Sequence, residues 1–191
     1  MTARLEGHGD DRLTTVLAEI QTVVAKIDRE HVDRLTDALV RATRIFVAGE
    51  GRSGFMGKAF AMRLMHLGLA VHVVGESTTP SIGSGDTVVA ISGSGTTAGT
   101  VRVAEQARRS GASLHCVTTD PGSPLALLSD TVLVLPAATK YRRPGEAPTV
   151  QPLSSLFDQT THVVLDVVCL QVAELRKVDN TAAAAVHANT E

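Results

Sequence analysis

Apolar side chains recur along the first forty residues with helical spacing. Leu13, Val16, Leu17, Ile20, Val23, Val24 and Ile27 fall on one face of a long amphipathic helix, and Val32, Leu35, Leu39 and Val40 on that of a second, shorter one over about His31 to Thr43. Met1 to Asp11, polar and glycine-containing, reads as a flexible N-terminus. From Arg44 the pattern changes to short β-branched runs separated by helical segments. RIFVAG precedes a helix over about Ser53 to Leu67, followed by AVHVVG. DTVVAIS precedes a helix over about Thr97 to Ser110, then come SLHCVTT, a helical turn near Ser123 to Leu128, and TVLVLP. Five apolar strands alternating with helices predict an α/β fold, a doubly wound sheet of about five parallel strands covered on both faces, behind an all-helical prefix. Ala137 to Ser154 has no period, and loops of that length are usually functional or disordered. A last helix over about Ser155 to Val178 leads into an alanine-rich tail over residues 179–191.

The length of 191 residues allows one domain with short terminal arms, here residues 12–178, and leaves no room for a separate cofactor domain. Aromatic residues make up 3% of the chain and the net charge is −2, so neither a base-stacking surface nor an electrostatic nucleic-acid or membrane binder is expected. Cys116 and Cys169 sit inside apolar runs and read as free core thiols rather than a disulfide. With no signal peptide and no apolar run of membrane-spanning length, the expected location is the cytoplasm.

In a parallel sheet of this kind, ligands bind beyond the carboxyl ends of the strands, which directs attention to two loops. Ser92-Gly93-Ser94-Gly95-Thr96-Thr97 joins a strand to a helix and carries four hydroxyls and two glycines. A helix cap needs one hydroxyl; a phosphate cradle uses several, together with close-approaching backbone amides and a helix N-terminus. The loop lacks the Lys-Ser/Thr pair that would indicate a nucleotide triphosphate and magnesium. Gly49-Glu50-Gly51-Arg52-Ser53-Gly54 matches GxGxxG, with Glu76 closing the next strand, so a dinucleotide reading exists. Against it stand the missing second domain and a second anion loop that a dinucleotide does not need. A tight strand-to-helix turn accounts for the glycines and frees Arg52 and Ser53 to face a ligand. Asp158, in the first turn of the last helix, is either a base or an acid that complements the helix dipole. Asp158 and His162 lack a third ligand for a metal.

Taken in order, GRSG (51–54), RLMHLG (63–68), GESTTP (75–80), SGSGT (92–96), QPLSSLFDQ (151–159) and the terminal HANTE (187–191) resemble the sugar isomerase (SIS) domain family from about Ala38 onward, and within it the 6-phospho-3-hexuloisomerase branch. The resemblance implies a cofactor-free, metal-free isomerase acting on a phosphorylated hexulose through an enediol. It implies that Ser92, Ser94 and Thr97 hold the phosphate with the Gly93 and Gly95 amides, that Ser53 stands at the sugar, and that Asp158 is the base; Arg52, as a cation for an anionic group, and Thr96, as the loop's remaining hydroxyl, join them as substrate-binding candidates from the loop reading alone. The family's usual residue at that last position is Glu, one methylene longer. His187 belongs to a segment that resembles one reaching a neighbouring subunit's site, where it would serve ring opening or proton handling. Lys140, Arg142 and Arg143 read equally as steering charges or a solvated run. Two alternatives stay open: an arabinose 5-phosphate isomerase, and a non-catalytic SIS module that senses a sugar phosphate. The apolar N-terminal helices lead to the expectation of a homo-oligomer, a dimer or tetramer.

Overall fold

The computed structural model describes residues 11–189. The remaining residues of the expected N-terminal arm, 1–10, and the last two of the tail, 190 and 191, lie outside the described residues. Two helices come first, α1 (Arg12–Val24) and α2 (Arg29–Arg41). Aspartates start both: Asp11 accepts from the Leu13 and Thr14 amides, and Asp28 from the Glu30 amide. That cap makes α2 begin two residues earlier than the apolar spacing predicts.

The α/β body follows as β1 (Ile45–Gly49), α3 (Gly51–His66), β2 (Val71–Val73), β3 (Thr87–Ile91), α4 (Ala98–Arg109), β4 (Ser113–Thr118), α5 (Pro124–Leu128), β5 (Thr131–Val134) and α6 (Ser155–Arg176). All four strand pairings are parallel, in the order β2-β1-β3-β4-β5. The predicted doubly wound sheet of five strands is therefore present. The second run, AVHVVG, contributes only three half-buried residues as an edge strand.

Alternation along the central strands explains the two-sided cover. Val89 and Ile91 of β3 join Val47, Leu64, Phe157, Leu165 and Val168 in a core under α1, α2, α3 and α6, whereas Val88 and Ala90 join Phe46, Leu114, Cys116 and Leu125 under α4 and α5. Both cysteines are free and buried, as the apolar runs around them indicate. The alanine-rich tail forms a seventh short helix, α7 (Asn180–Ala185), which the periodicity did not predict; Asp179 starts it by accepting from the Ala182 amide at 2.8 Å.

Chain order reverses between β1 and β3: from β1 the chain runs outward to β2, then crosses back to β3 on the other side. The crevice at the carboxyl ends of these two strands is the topological switch point, and both glycine-containing loops open onto it.

Candidate active site

After β1 the chain turns sharply into α3. A Cβ on Gly54 would stand 2.7 Å from the Gly49 carbonyl oxygen, and Gly51 has φ +58°, so glycines are required for the turn itself. The GxGxxG match is thus satisfied by local packing. The turn delivers Arg52 and Ser53 to the rim of a cavity of about 370 Å³.

After β3, Ser92 to Thr97 form the facing wall. Gly93, Ser94, Thr96 and Thr97 line the cavity. Ser92 does not: it is buried, its Oγ lies 3.0 Å from Thr97 Oγ1, and it accepts from the Gly95 amide at 3.2 Å. Gly95 also lies beneath the surface, at φ +64°, where any Cβ would run into the Ser123 side chain. Ser92 and Gly95 therefore shape the loop, while the other four residues present it.

The capping reading of this loop fails on geometry. Thr97 occupies the N-cap of α4 but makes no side-chain cap hydrogen bond; its hydroxyl pairs with Ser92 instead. Glu50 at α3 and Ser154 at α6 make none either. Side chains do cap α1, α2, α5 and α7. The three helices without such a cap are the three whose N-cap or first-turn residues line this cavity (Arg52 and Ser53 of α3, Thr97 before α4, Ser154 and Asp158 at α6), so their partial positive ends lie beside whatever fills it. That is the electrostatic signature of an anion site.

Asp158 projects from the first turn of α6 and is 2% exposed. Its carboxylate accepts from Arg52 Nε at 2.9 Å and from Ser53 Oγ at 3.2 Å. One buried anion thus lies between two residues of α3 and opposite the hydroxyl loop. Phe157 beside it packs against Gly93, where a Cβ would stand 3.0 Å from the ring.

The loop between β5 and α6 supplies the last wall with Thr139, Lys140, Tyr141, Leu153 and Ser154. Of the three cations that the sequence leaves open as steering charges or a solvated run, only Lys140 lines the cavity, and Tyr141 beside it is a residue the sequence does not single out, because a stretch without a period gives no indication of which side chains turn inward. The neighbouring cations are engaged elsewhere. Arg143 donates to the Ser94 carbonyl and pairs with Asp120 at 3.2 Å, and Arg142 donates to the carbonyls of Thr139, Gln151 and Leu153.

His187 is not at this cavity. Its ring stacks on that of His66 in the same chain, with centroids 5.0 Å apart, at the opposite end of α3 from Arg52. At 1.5 Å per residue, that is about 20 Å along the helix. His162 pairs with Asp166 at 3.6 Å, and among the described residues no group of three or more His, Cys, Asp and Glu side chains could hold a metal ion.

The SIS domain family model matches residues 38–165. A 3-hexulose-6-phosphate isomerase of Mycobacterium gastri is 44% identical over 186 residues, covering 96% of this chain and 93% of that one. A protein of the same description from Bacillus subtilis is 38% identical over 176 residues, 92% of this chain and 95% of that one. Among solved structures, a hypothetical protein of Methanococcus jannaschii, for which a molecular function of 3-hexulose-6-phosphate isomerase was inferred, superposes with a TM-score of 0.80 at 29% identity, covering 94% of this chain and 98% of that one.

Proposed function

The chain belongs to the SIS domain family, and from that premise we propose that its cavity interconverts 3-hexulose 6-phosphate and fructose 6-phosphate. The observation that carries the proposal is a buried carboxylate, Asp158, facing the same cavity as an uncapped, hydroxyl-rich helix N-terminus. Names of relatives 38–44% identical over most of the chain supply the substrate.

The chemistry follows from the arrangement. The phosphate dianion rests on Ser94, Thr96 and Thr97 and the first turn of α4, which leaves the sugar carbons to extend towards α3 and α6. Asp158 removes the proton from C2 of the 3-ketose; the electron pair forms the C2–C3 double bond as the carbonyl π pair moves onto the C3 oxygen, and a proton passing from the C2 hydroxyl to that oxygen carries the enediol over to the 2-ketose side. The same carboxylic acid returns a proton to C3 while the C2 oxygen becomes the carbonyl. No net oxidation occurs, so the proposed route uses no cofactor. Arg52 keeps a positive charge beside the group that loses and regains its negative charge, and Ser53 orients it.

The same proposal includes a homo-oligomer, a dimer or a tetramer. Support comes from apolar side chains left in solvent on α1 (Leu13 and Leu17) and along α6 (Val163, Val167 and Leu170). No helix of the described residues is long and apolar enough to cross a membrane. A cytoplasmic setting is part of the reading because a dianionic sugar does not cross an apolar bilayer unaided.

The test is direct. Purified protein, given enzymatically generated 3-hexulose 6-phosphate, should form fructose 6-phosphate without added metal or nucleotide. Binding without turnover would support the sensor alternative instead.

A further inference from the structure

One wall of the cavity is a loop without helix or strand, yet it is held from outside the domain that the family defines. Glu19 belongs to α1, which precedes the matched residues 38–165. Its carboxylate accepts three hydrogen bonds from consecutive residues of the β5–α6 loop: Thr149 Oγ1 at 2.6 Å, the Val150 amide at 2.7 Å and Gln151 Nε2 at 2.9 Å. Gln151 is 8% exposed and opens the QPLSSLFDQ segment that ends at the Asp158 turn, so the sequence motif contains an anchor as well as a base.

From that anchor the loop is braced back to the cavity. The Gln151 carbonyl accepts from Arg142 Nη2 at 2.7 Å, and the same guanidinium reaches the carbonyls of Thr139 and Leu153. Glu146 accepts from the Thr139 amide and hydroxyl at 2.7 Å each, and the Lys140 amide donates to Ser154 Oγ at 3.1 Å. Thr139, Lys140, Leu153 and Ser154, which these bonds fix, line the cavity with Tyr141. Three non-glycine residues have positive φ among the described residues. Lys177 is the C-cap of α6; the other two, Arg142 at 49° and Leu153 at 52°, are both in this loop. A conformation sparsely populated by such residues persists only where surrounding contacts hold it. The Glu19 clamp supports both indirectly: it fixes Gln151, whose carbonyl Arg142 binds and which stands two residues before Leu153.

We infer that Glu19 is a positioning residue for the active site, acting through the β5–α6 loop to hold Lys140 and Tyr141 over bound phosphosugar. The inference rests on the proposed cavity and substrate. It gives the helical prefix a part in substrate binding. The phosphate loop and Asp158 are held by other elements, so loosening the clamp should affect binding more than proton transfer.

Fructose 6-phosphate binding, measured by calorimetry, and steady-state kinetics test this with Glu19→Ala and the near-isosteric Glu19→Gln. Both variants should raise Kd and KM about tenfold or more, with kcat within about threefold of wild type. Amide hydrogen exchange over residues 139–151 should quicken. Glu19→Gln/Gln151→Glu, which exchanges acceptor and donor, should recover part of the lost affinity. In a Lys140→Ala/Tyr141→Ala background the effect of Glu19→Ala on KM should shrink, because the groups it positions are gone. A lower Tm with unchanged Kd and KM would overturn the inference and leave a purely structural clamp. A wild-type protein that binds fructose 6-phosphate in a clamp-dependent way but fails to isomerise it would overturn the proposed reaction and support the positioning role. Normal isomerisation with wild-type KM in Glu19→Ala would do the reverse.

Discussion

Arg52 and Asp158 are separated by 106 positions in the chain and meet through a 2.9 Å hydrogen bond at the mouth of the switch-point crevice. The guanidinium is largely exposed and the carboxylate is buried, so solvent reaches the cation while the anion faces protein and cavity. This asymmetry makes Asp158 the residue to test first. Asp158→Asn keeps size and leaves the phosphate loop untouched. Fructose 6-phosphate should still bind, kcat should fall by about 10²–10⁴-fold, and exchange of the substrate's carbon-bound hydrogen with deuterated solvent should fall with it. Asp158→Glu should retain activity, because it restores the side chain usual in the family. Wild-type turnover in the Asn variant would transfer the role of base to another group, with Glu50 and His187 next in line.

The phosphate loop makes a separate prediction, because its residues divide into those that present donors and those that shape the turn. Ser94→Ala and Thr97→Val each remove one donor to a dianion and should weaken binding by about 1.5–3 kcal/mol apiece. Inorganic phosphate and sulfate should compete with substrate in the wild type and compete less well in both variants. Ser92→Ala acts differently: it deprives Thr97 and the Gly95 amide of a buried partner, so its cost should appear in Tm as well as in KM. Unchanged KM in the Ser94 and Thr97 variants would remove the phosphate from this loop.

The architecture was legible before the structure because period-two and period-3.6 apolar patterns are produced by the same burial that they report. Val88 and Ala90 face one layer and Val89 and Ile91 the other, which is why DTVVAIS reads as continuously apolar. Hydroxyl-rich Ser92 to Thr97 was legible as chemistry because it has more polar donors than a helix cap needs; Asp158 was not distinguishable by position from an acid that complements the helix dipole, and only the resemblance of QPLSSLFDQ singled it out. The division within the loop was not legible, since Ser92 and Ser94 differ in direction and not in composition. Tyr141 was invisible, and Lys140 could not be told from Arg142 and Arg143, because a loop without a period does not encode which side chain points inward. The anchoring of that loop depends on Glu19, an ordinary acid on an amphipathic helix until Thr149, Val150 and Gln151 converge on it.

Acid should destabilise the fold through two carboxylates remote from Asp158. Asp86 is buried and accepts from Arg44 Nε at 2.8 Å, Arg44 Nη2 at 2.7 Å and the Gly83 amide at 2.7 Å. Burial pushes its carboxyl upward, but these hydrogen bonds outweigh it and hold the pKa below the usual value. At Glu19 burial is again outweighed, by the Thr149, Gln151 and Val150 bonds. A carboxyl with a depressed folded-state pKa contributes stability that is complete above its unfolded value, about 4, and disappears as pH falls through the folded value. Urea unfolding free energy should therefore decline steadily below about pH 4–5, and Asp86→Asn should flatten that decline while lowering stability at pH 7. An equal acid slope in the variant would assign the loss to other groups.

The tail provides the final prediction, and the stack of His187 on His66 sharpens it. Within one chain that stack lies at the far end of α3 from Asp158, so His187 cannot complete its own chain's cavity from this position. A role in ring opening or proton handling then requires a neighbouring subunit whose cavity faces this end of α3. His187 is exposed and α7 buries no residue, so the tail contributes little to the core. Deleting residues from Val186 onward should accordingly lower kcat while leaving Tm and assembly state nearly unchanged. Mixed oligomers of tail-deleted and Asp158→Asn subunits should regain activity, because some cavities would then combine an intact carboxylate with an intact tail from the neighbour. His66→Ala should reproduce part of the tail deletion if the stack fixes the ring for that purpose. Full activity in the deletion variant would return His187 to a surface role and leave ring opening to groups within the cavity.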